Sequence, residues 1–186
     1  MANRNHMGRM KRQSGAVLVV SLLLLLVMTL LGLGAAQSTR MQERMAGNQR
    51  DLELAMQGAE AGLRAAEDLL PSNRPVSLCR NQGSNCDAYL EDTFVDGSQR
   101  ALDLARQPDA WWTTWSQEHP ANSTLGLQRP PQFVAERVAR MRDTLSEGDP
   151  NIKVVREYYR VTSRSRGLTD SAQVIVQTTH GRVTFE

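Results

Sequence analysis

Residues 14–36 read SGAVLVVSLLLLLVMTLLGLGAA and follow the basic opening MANRNHMGRMKRQ of residues 1–13. A stretch of this kind serves as a disposable export signal, a permanent membrane anchor, or the polymerising arm of a filament subunit. Ala16 to Ala36 is 21 residues without a charge. As a helix it spans about 31 Å, which matches a bilayer core of about 30 Å. Arg4, Arg9, Lys11 and Arg12 all precede it, so the positive-inside rule leaves the N-terminus in the cytoplasm and the rest outside a bacterial inner membrane, as a single pass. Gly34-Ala35-Ala36 does resemble a secretory cleavage site, but secretory apolar regions run to only about 7–15 residues.

The apolar pattern continues past the span. Positions 41, 45, 48, 52, 55, 59, 62, 66 and 69 are Met, Met, Asn, Leu, Ala, Ala, Gly, Ala and Leu. Alternating steps of four and three keep one helix face largely apolar. Ala55, Ala59, Gly62 and Ala66 let another backbone come close, while Glu43, Arg50, Asp51, Glu53, Glu60, Arg64 and Asp68 fall on faces that can stay hydrated. No proline precedes Pro71, so one helix is expected over about residues 16–70, roughly 80 Å long.

Charge and cysteine content narrow the rest. From Ala16 onward 18 basic residues face 20 acidic ones, so the net charge gives no support to nucleic-acid binding. Cys79 and Cys86, with no other cysteine and no nearby histidine, fit poorly to a four-ligand metal site. In an oxidising compartment the simplest expectation is a Cys79–Cys86 disulfide, worth about 2–3 kcal/mol on a loop-entropy model, with two free thiols as the alternative.

The junction KRQSG (residues 11–15) followed by AVLVVSLLLLLVMTLLGLG resembles a class III leader, the kind that prepilin peptidase removes from type IV pilins and pseudopilins. The resemblance implies cleavage between Gly15 and Ala16 and N-methylation of Ala16, although pilins commonly have Phe there. Pilins usually carry Glu as the fifth mature residue, and this chain has Val20. That Glu is thought to pair with the N-terminal amine of a subunit already inserted, because a buried charge needs a partner. A subunit without it fits best at the tip. QERMAGNQRDLELAMQGAEAGLRAAE (residues 42–67), RPPQFVAERV (129–138) and YYRVTSRSRGLTDSAQVIVQTTHGR (158–182) narrow the resemblance to the PilX-type minor pilins of type IV pili.

That family implies four segments: a leader (1–15), a transmembrane and polymerisation helix (16–39), an amphipathic extension (40–70) and a periplasmic globular domain (71–186). It implies a non-catalytic minor pilin that primes pilus assembly at the tip, sits first in the inner membrane and then in the pilus, and needs no cofactor. Its implied partners are other minor pilins, the major pilin, the inner-membrane assembly machinery, prepilin peptidase and a PilY-type tip adhesin. The alternatives are a tip pseudopilin of type II secretion, which typically carries a larger inserted domain, and a single-span envelope protein with a sensory or enzymatic outer domain.

Between Pro71 and Pro131 the residues read as loops and short helices. Ser98 is expected to cap a segment ending before Pro108, and Asp109 another that stops by Pro120. Trp111, Trp112 and Trp115 fall in the second, with Trp115 near both others. Their expected duty is packing, with a sugar-stacking or adhesive platform as the sharper reading and a seat at the lipid interface as a third. Residues 133–138, 154–163 and 172–179 read as strands, with SRGLTD (165–170) joining the last two as a hairpin. A long helix on an antiparallel sheet of three or four strands is an α+β fold, and the pilin resemblance implies the same.

Arg156, Arg160, Arg164 and Arg166 share strand parity, opposite Val155, Tyr159 and Val161. A solvated outer face is the expectation, in preference to a nucleic-acid stripe. No phosphate loop or nucleophile elbow occurs, and His6, His119 and His180 lack ligand spacing. SEGDPN (146–151) reads as a turn, not an ordered calcium loop.

Overall fold

A run without proline lets α1 continue unbroken from Ala16 to Asp68, and two tighter bonds close its last turn, Leu69 N to Ala66 O at 3.1 Å and Leu70 N to Glu67 O at 2.9 Å. The computed structural model describes residues 15–81, 86–98, 100–119, 125–142 and 154–185. The basic opening and the SEGDPN segment therefore lie outside the described residues. The chain divides into two units, Met1–Gly47 and Asn48–Glu186. In the first, the large apolar side chains from Val17 to Leu33 are 44–71% exposed. α1 is long and apolar enough at its N-terminal end to cross a membrane.

The second unit is the last part of α1 and a six-stranded sheet among the described residues. Three long strands, β4 (Gln132–Arg142), β5 (Val154–Arg166) and β6 (Gln173–Phe185), run antiparallel in the order β4-β5-β6. This is the expected α+β arrangement. β1 (Leu78–Cys79), β2 (Ala88–Tyr89) and β3 (Gln117–Glu118) add two residues each at the other edge of β4. β1 and β2 pair parallel, as do β2 and β4, so that edge is mixed where a purely antiparallel sheet was expected. Two-residue strands carry no periodicity to read, and the Cys79–Cys86 disulfide bridges the chain between β1 and β2.

The long strands outrun their expected ends. A register shift between Arg137 and Ala139 carries β4 on to Arg142. It swaps the faces of residues 139–142, which breaks the alternation a strand is recognised by.

Register separates the two faces of the sheet. On one, Phe133 and Ala135 sit beside Tyr159 and Val161 and pack with Ala66, Leu70 and Ala88 of the first core. The other carries Val134 into a second core with Cys86, Tyr89, Phe94, Leu104 and Trp112. Small residues let α1 lie directly on the first face, where Ala55, Gly58, Ala59, Gly62 and Ala66 are all buried. α1 runs against β5: Gly58 abuts Ser165, Gly62 abuts Ser163, and Pro71 reaches Arg182, whose Cα pairs with Glu157. The helix rises about 6 Å from Gly58 to Gly62, and β5 covers about 6.6 Å from Ser165 back to Ser163, so the two elements stay in step there.

A Cβ built on Gly58 would lie 2.7 Å from Leu127 Cδ1 and 3.0 Å from Ser165 Cβ. Gly58→Leu is therefore expected to destabilise the second unit by about 1–3 kcal/mol, measured by thermal unfolding of the full chain in detergent. Gly47→Leu meets nothing within 4 Å and should be neutral or slightly stabilising through helix propensity. Equal losses at both positions would show that the helix does not depend on this close approach.

Candidate functional site

Gly15 is a bend immediately before α1, and Ala16 is the first helical residue. Val20 lies one turn further on, 57% exposed, among exposed leucines and valines. Nothing polar in that turn except the Ser21 hydroxyl interrupts the apolar surface, and Ser21 Oγ is turned back onto Leu18 O at 2.9 Å.

Beyond the span, the exposed and buried stripes part company. Met41, Met45, Leu52 and Met56 remain 40–62% exposed. The residue that enters the interior is Asp51, at 8% exposure, where a hydrated carboxylate was expected. It accepts from Leu168 N, from Thr169 N at 3.3 Å and from the Thr169 hydroxyl. These donors belong to the β5–β6 turn, closed by Gly167 N to Ala172 O at 2.9 Å. A Cβ on Gly167 would collide with the Asp51 backbone and carboxylate, which is why the turn carries glycine there. The Thr169 hydroxyl bond chiefly, opposed by burial and aided by the two backbone bonds, holds the Asp51 carboxyl below its ordinary pKa.

The arginines of β5 are not the solvated row the parity suggested. Arg156 is exposed, but Arg160 pairs with buried Glu136, and Arg164 and Arg166 are covered by α2 (Asp109–Trp115). Desolvation is the largest influence on Glu136 and raises its pKa, with Arg160 opposing it. Arg164 donates to Asp109 Oδ1 at 2.7 Å and to Gln132 Oε1 at 2.6 Å. Arg166 donates to both Asp109 oxygens at 2.6 Å. These bonds, Arg166's first, lower the Asp109 pKa. Asp109 opens α2 and anchors it to β5, while Pro108 occupies the cap position without a side-chain bond. A 3₁₀ turn at Leu104–Arg106 is capped by Asp103, not by Ser98.

α2 carries the three tryptophans onto the sheet. Trp112 is fully buried and lies under the Arg164 guanidinium, 4.8 Å from the ring centre. Trp111 and Trp115 are half-buried and stack at 6.5 Å. Phe94 meets both edge-on, at 5.2 and 5.3 Å, and Tyr89 donates to Trp115 O at 3.0 Å. Packing is thus the work of these rings.

Cys79 and Cys86 are joined as a disulfide with Cα atoms 5.7 Å apart, and Cys86 is part of the tryptophan core. Among the described residues no group of three or more His, Cys, Asp or Glu side chains is placed to hold a metal ion.

Lowered carboxylates set an acid limit. Asp51, Glu91 and Asp109 have folded pKa values below their unfolded ones, Glu91 chiefly through its bond from Arg137. The unfolded chain then binds more protons, so their stabilisation is complete above the ordinary carboxylate range and is lost as pH falls from there through the lower folded values. Melting temperature should therefore fall as the pH drops below about 4.5. Asp51→Asn should flatten that fall, and an unchanged acid limb in this variant would remove Asp51 from the account.

Comparison with curated proteins and with solved structures found no match. Two family models do match: PilX N-terminal over residues 14–64, and Type IV pilus assembly protein PilX C-term over residues 76–182. The first covers the entry to α1 and most of its length, the second nearly all of the disulfide loop, tryptophan layer and sheet. The two matches together span both ends of the chain, and the chain belongs to the PilX family of type IV pilus minor pilins.

Proposed function

We propose that the chain is cut between Gly15 and Ala16 by prepilin peptidase, methylated on Ala16, and held in the inner membrane by residues 16–39 with its globular part in the periplasm. It then joins other minor pilins in a complex that primes the pilus and stays at the tip. The role is mechanical, not catalytic. Apolar helices leave the bilayer by exchanging lipid contacts for contacts with one another, and the globular domain selects neighbours, among them the major pilin, the assembly machinery and a PilY-type adhesin.

Val20 is the observation that carries the tip assignment. An exposed aliphatic side chain stands where pilins carry the Glu that attracts the amine of a subunit above, so this subunit is suited to have none above it. Two measurements test the proposal. Expression with prepilin peptidase should remove the mass of residues 1–15, whereas a product beginning at Gln37 would make the segment a secretory signal. In a reconstituted minor-pilin complex, Val20→Glu should shift the subunit from its terminal position. Unchanged placement would refute the argument from the missing acid.

A further inference from the structure

The two edges of the sheet are built differently. Beyond β4, the strands β1, β2 and β3 have two residues each, and strands that short give another chain little to pair with. The opposite edge is β6, 13 residues long. Its register with β5 runs without a shift from Val154 opposite Phe185 to Arg166 opposite Gln173, and among the described residues no strand lies beyond it. Alternate residues of such a strand turn their N–H and C=O away from the paired neighbour, so β6 presents a row of outward backbone donors and acceptors.

The devices that ordinarily blunt an edge are missing from its first part. Gln173 to Thr179 reads QVIVQTT, without charge or proline, and the regular register leaves no bulge there. Valine, isoleucine and threonine favour a strand, and charge, proline and bulges are what keep a second chain off. No residue from Gln173 to Gly181 is buried, whereas Val161, Thr162, Ser163, Arg164 and Ser165, their neighbours on β5, all are. Residues 143–153 and 186, outside the described residues, adjoin Val154 and Phe185, which pair with each other. Thr179 lies about 20 Å back along β6 from that pair.

We propose that Gln173–Thr179 accepts an extended, uncharged, β-branched segment of a partner protein as a further strand of the sheet. Backbone bonds to β6 supply the attraction, and alternate side chains supply the choice of partner. They would stand beside Val174, Val176 and Thr178 on the face that carries Val161, Ser163 and Ser165, and beside Ile175, Gln177 and Thr179 on the other. A charged side chain would find no counter-charge among these six. Antiparallel pairing of β6 with a second copy would point the two α1 helices in opposite directions, while the anchoring proposed above sets both in one membrane, so a foreign strand is the better occupant. The inference does not require tip placement.

The test is fluorescence anisotropy of a labelled Thr-Val-Thr-Val-Thr-Val-Thr peptide with the full chain in detergent, together with amide hydrogen exchange. Saturable binding is expected, and it should slow the exchange of alternate amides within Gln173–Thr179 about tenfold or more. Thr178 and Thr179 are adjacent, so one of them directs its N–H outward and the other toward β5. Proline at the outward one should nearly keep the melting temperature and weaken binding about tenfold or more, whereas proline at the other should lower the melting temperature. No saturable binding, or protection that falls outside Gln173–Thr179, would overturn the proposal. So would unchanged binding in a folded variant with the outward proline, because the contact would then not run through the backbone. A full chain that sediments as a dimer, and as a monomer once that proline is present, would make the occupant a second copy and overturn it as well.

Discussion

Trp112→Ala should lower the stability of the second unit by about 3–5 kcal/mol, the range for deleting a fully buried aromatic side chain. For a unit of this size that is a drop in melting temperature of roughly 10–15 °C. Trp112 has no exposed surface and joins the disulfide loop, through Cys86, to Val134 of β4. Its removal also takes the ring from beneath Arg164, whose guanidinium is itself buried and desolvated. Trp111 and Trp115 are half-buried, so alanine at either should cost clearly less. Trp112→Phe retains most of the packing and should lose less than half as much. Thermal unfolding of the four variants checks the order. If Trp115→Ala equals or exceeds Trp112→Ala, the layer is held from its outer side, and the core described for α2 is wrong.

The fold is legible where one physical signal dominates. A charge-free run and small residues at helical spacing marked α1, and β-branched runs marked β4, β5 and β6. What escaped depends on contacts distant in sequence. Asp51 meets Leu168 across 117 positions, and a carboxylate on a helix ordinarily reads as hydrated. One signal was present: Asp51 lies in register with Ala55, Gly58, Gly62 and Ala66 at steps of four, three, four and four, while the expected stripe ran through Leu52, which is 48% exposed. The parity of the β5 arginines was read correctly, but their surroundings were not. Nothing local to residues 156–166 records that Asp109 will bring α2 over them. The Cys79–Cys86 pair is readable from its spacing, whereas the parallel strands beside it are too short to leave a pattern.

Glu157 offers the other large effect, because this buried carboxylate is shared by Arg137, Arg140 and Arg182. Glu157→Met should cost about 3–5 kcal/mol, because it leaves Arg182 and part of Arg137 buried without their counter-charge. Arg137 keeps Glu91 at 2.7 Å, so the larger part of the loss lies with Arg182, at 4% side-chain exposure. The Tyr159 hydroxyl loses its acceptor as well. Burial first and then the Glu157 charge raise the pKa of that phenol, so the ring stays neutral and must donate elsewhere. Replacing both ions removes the uncompensated charge. Glu157→Met/Arg182→Met should therefore be more stable than Glu157→Met alone by about 1 kcal/mol or more, because no uncompensated buried charge is left at Arg182. The gain is partial, since Pro71 O loses the donor that ties the end of α1 to β6. If the double variant is instead less stable than either single one, Arg182 is held by its bond to Pro71 and by packing, not by Glu157, and the shared-anion description of this end of the sheet fails.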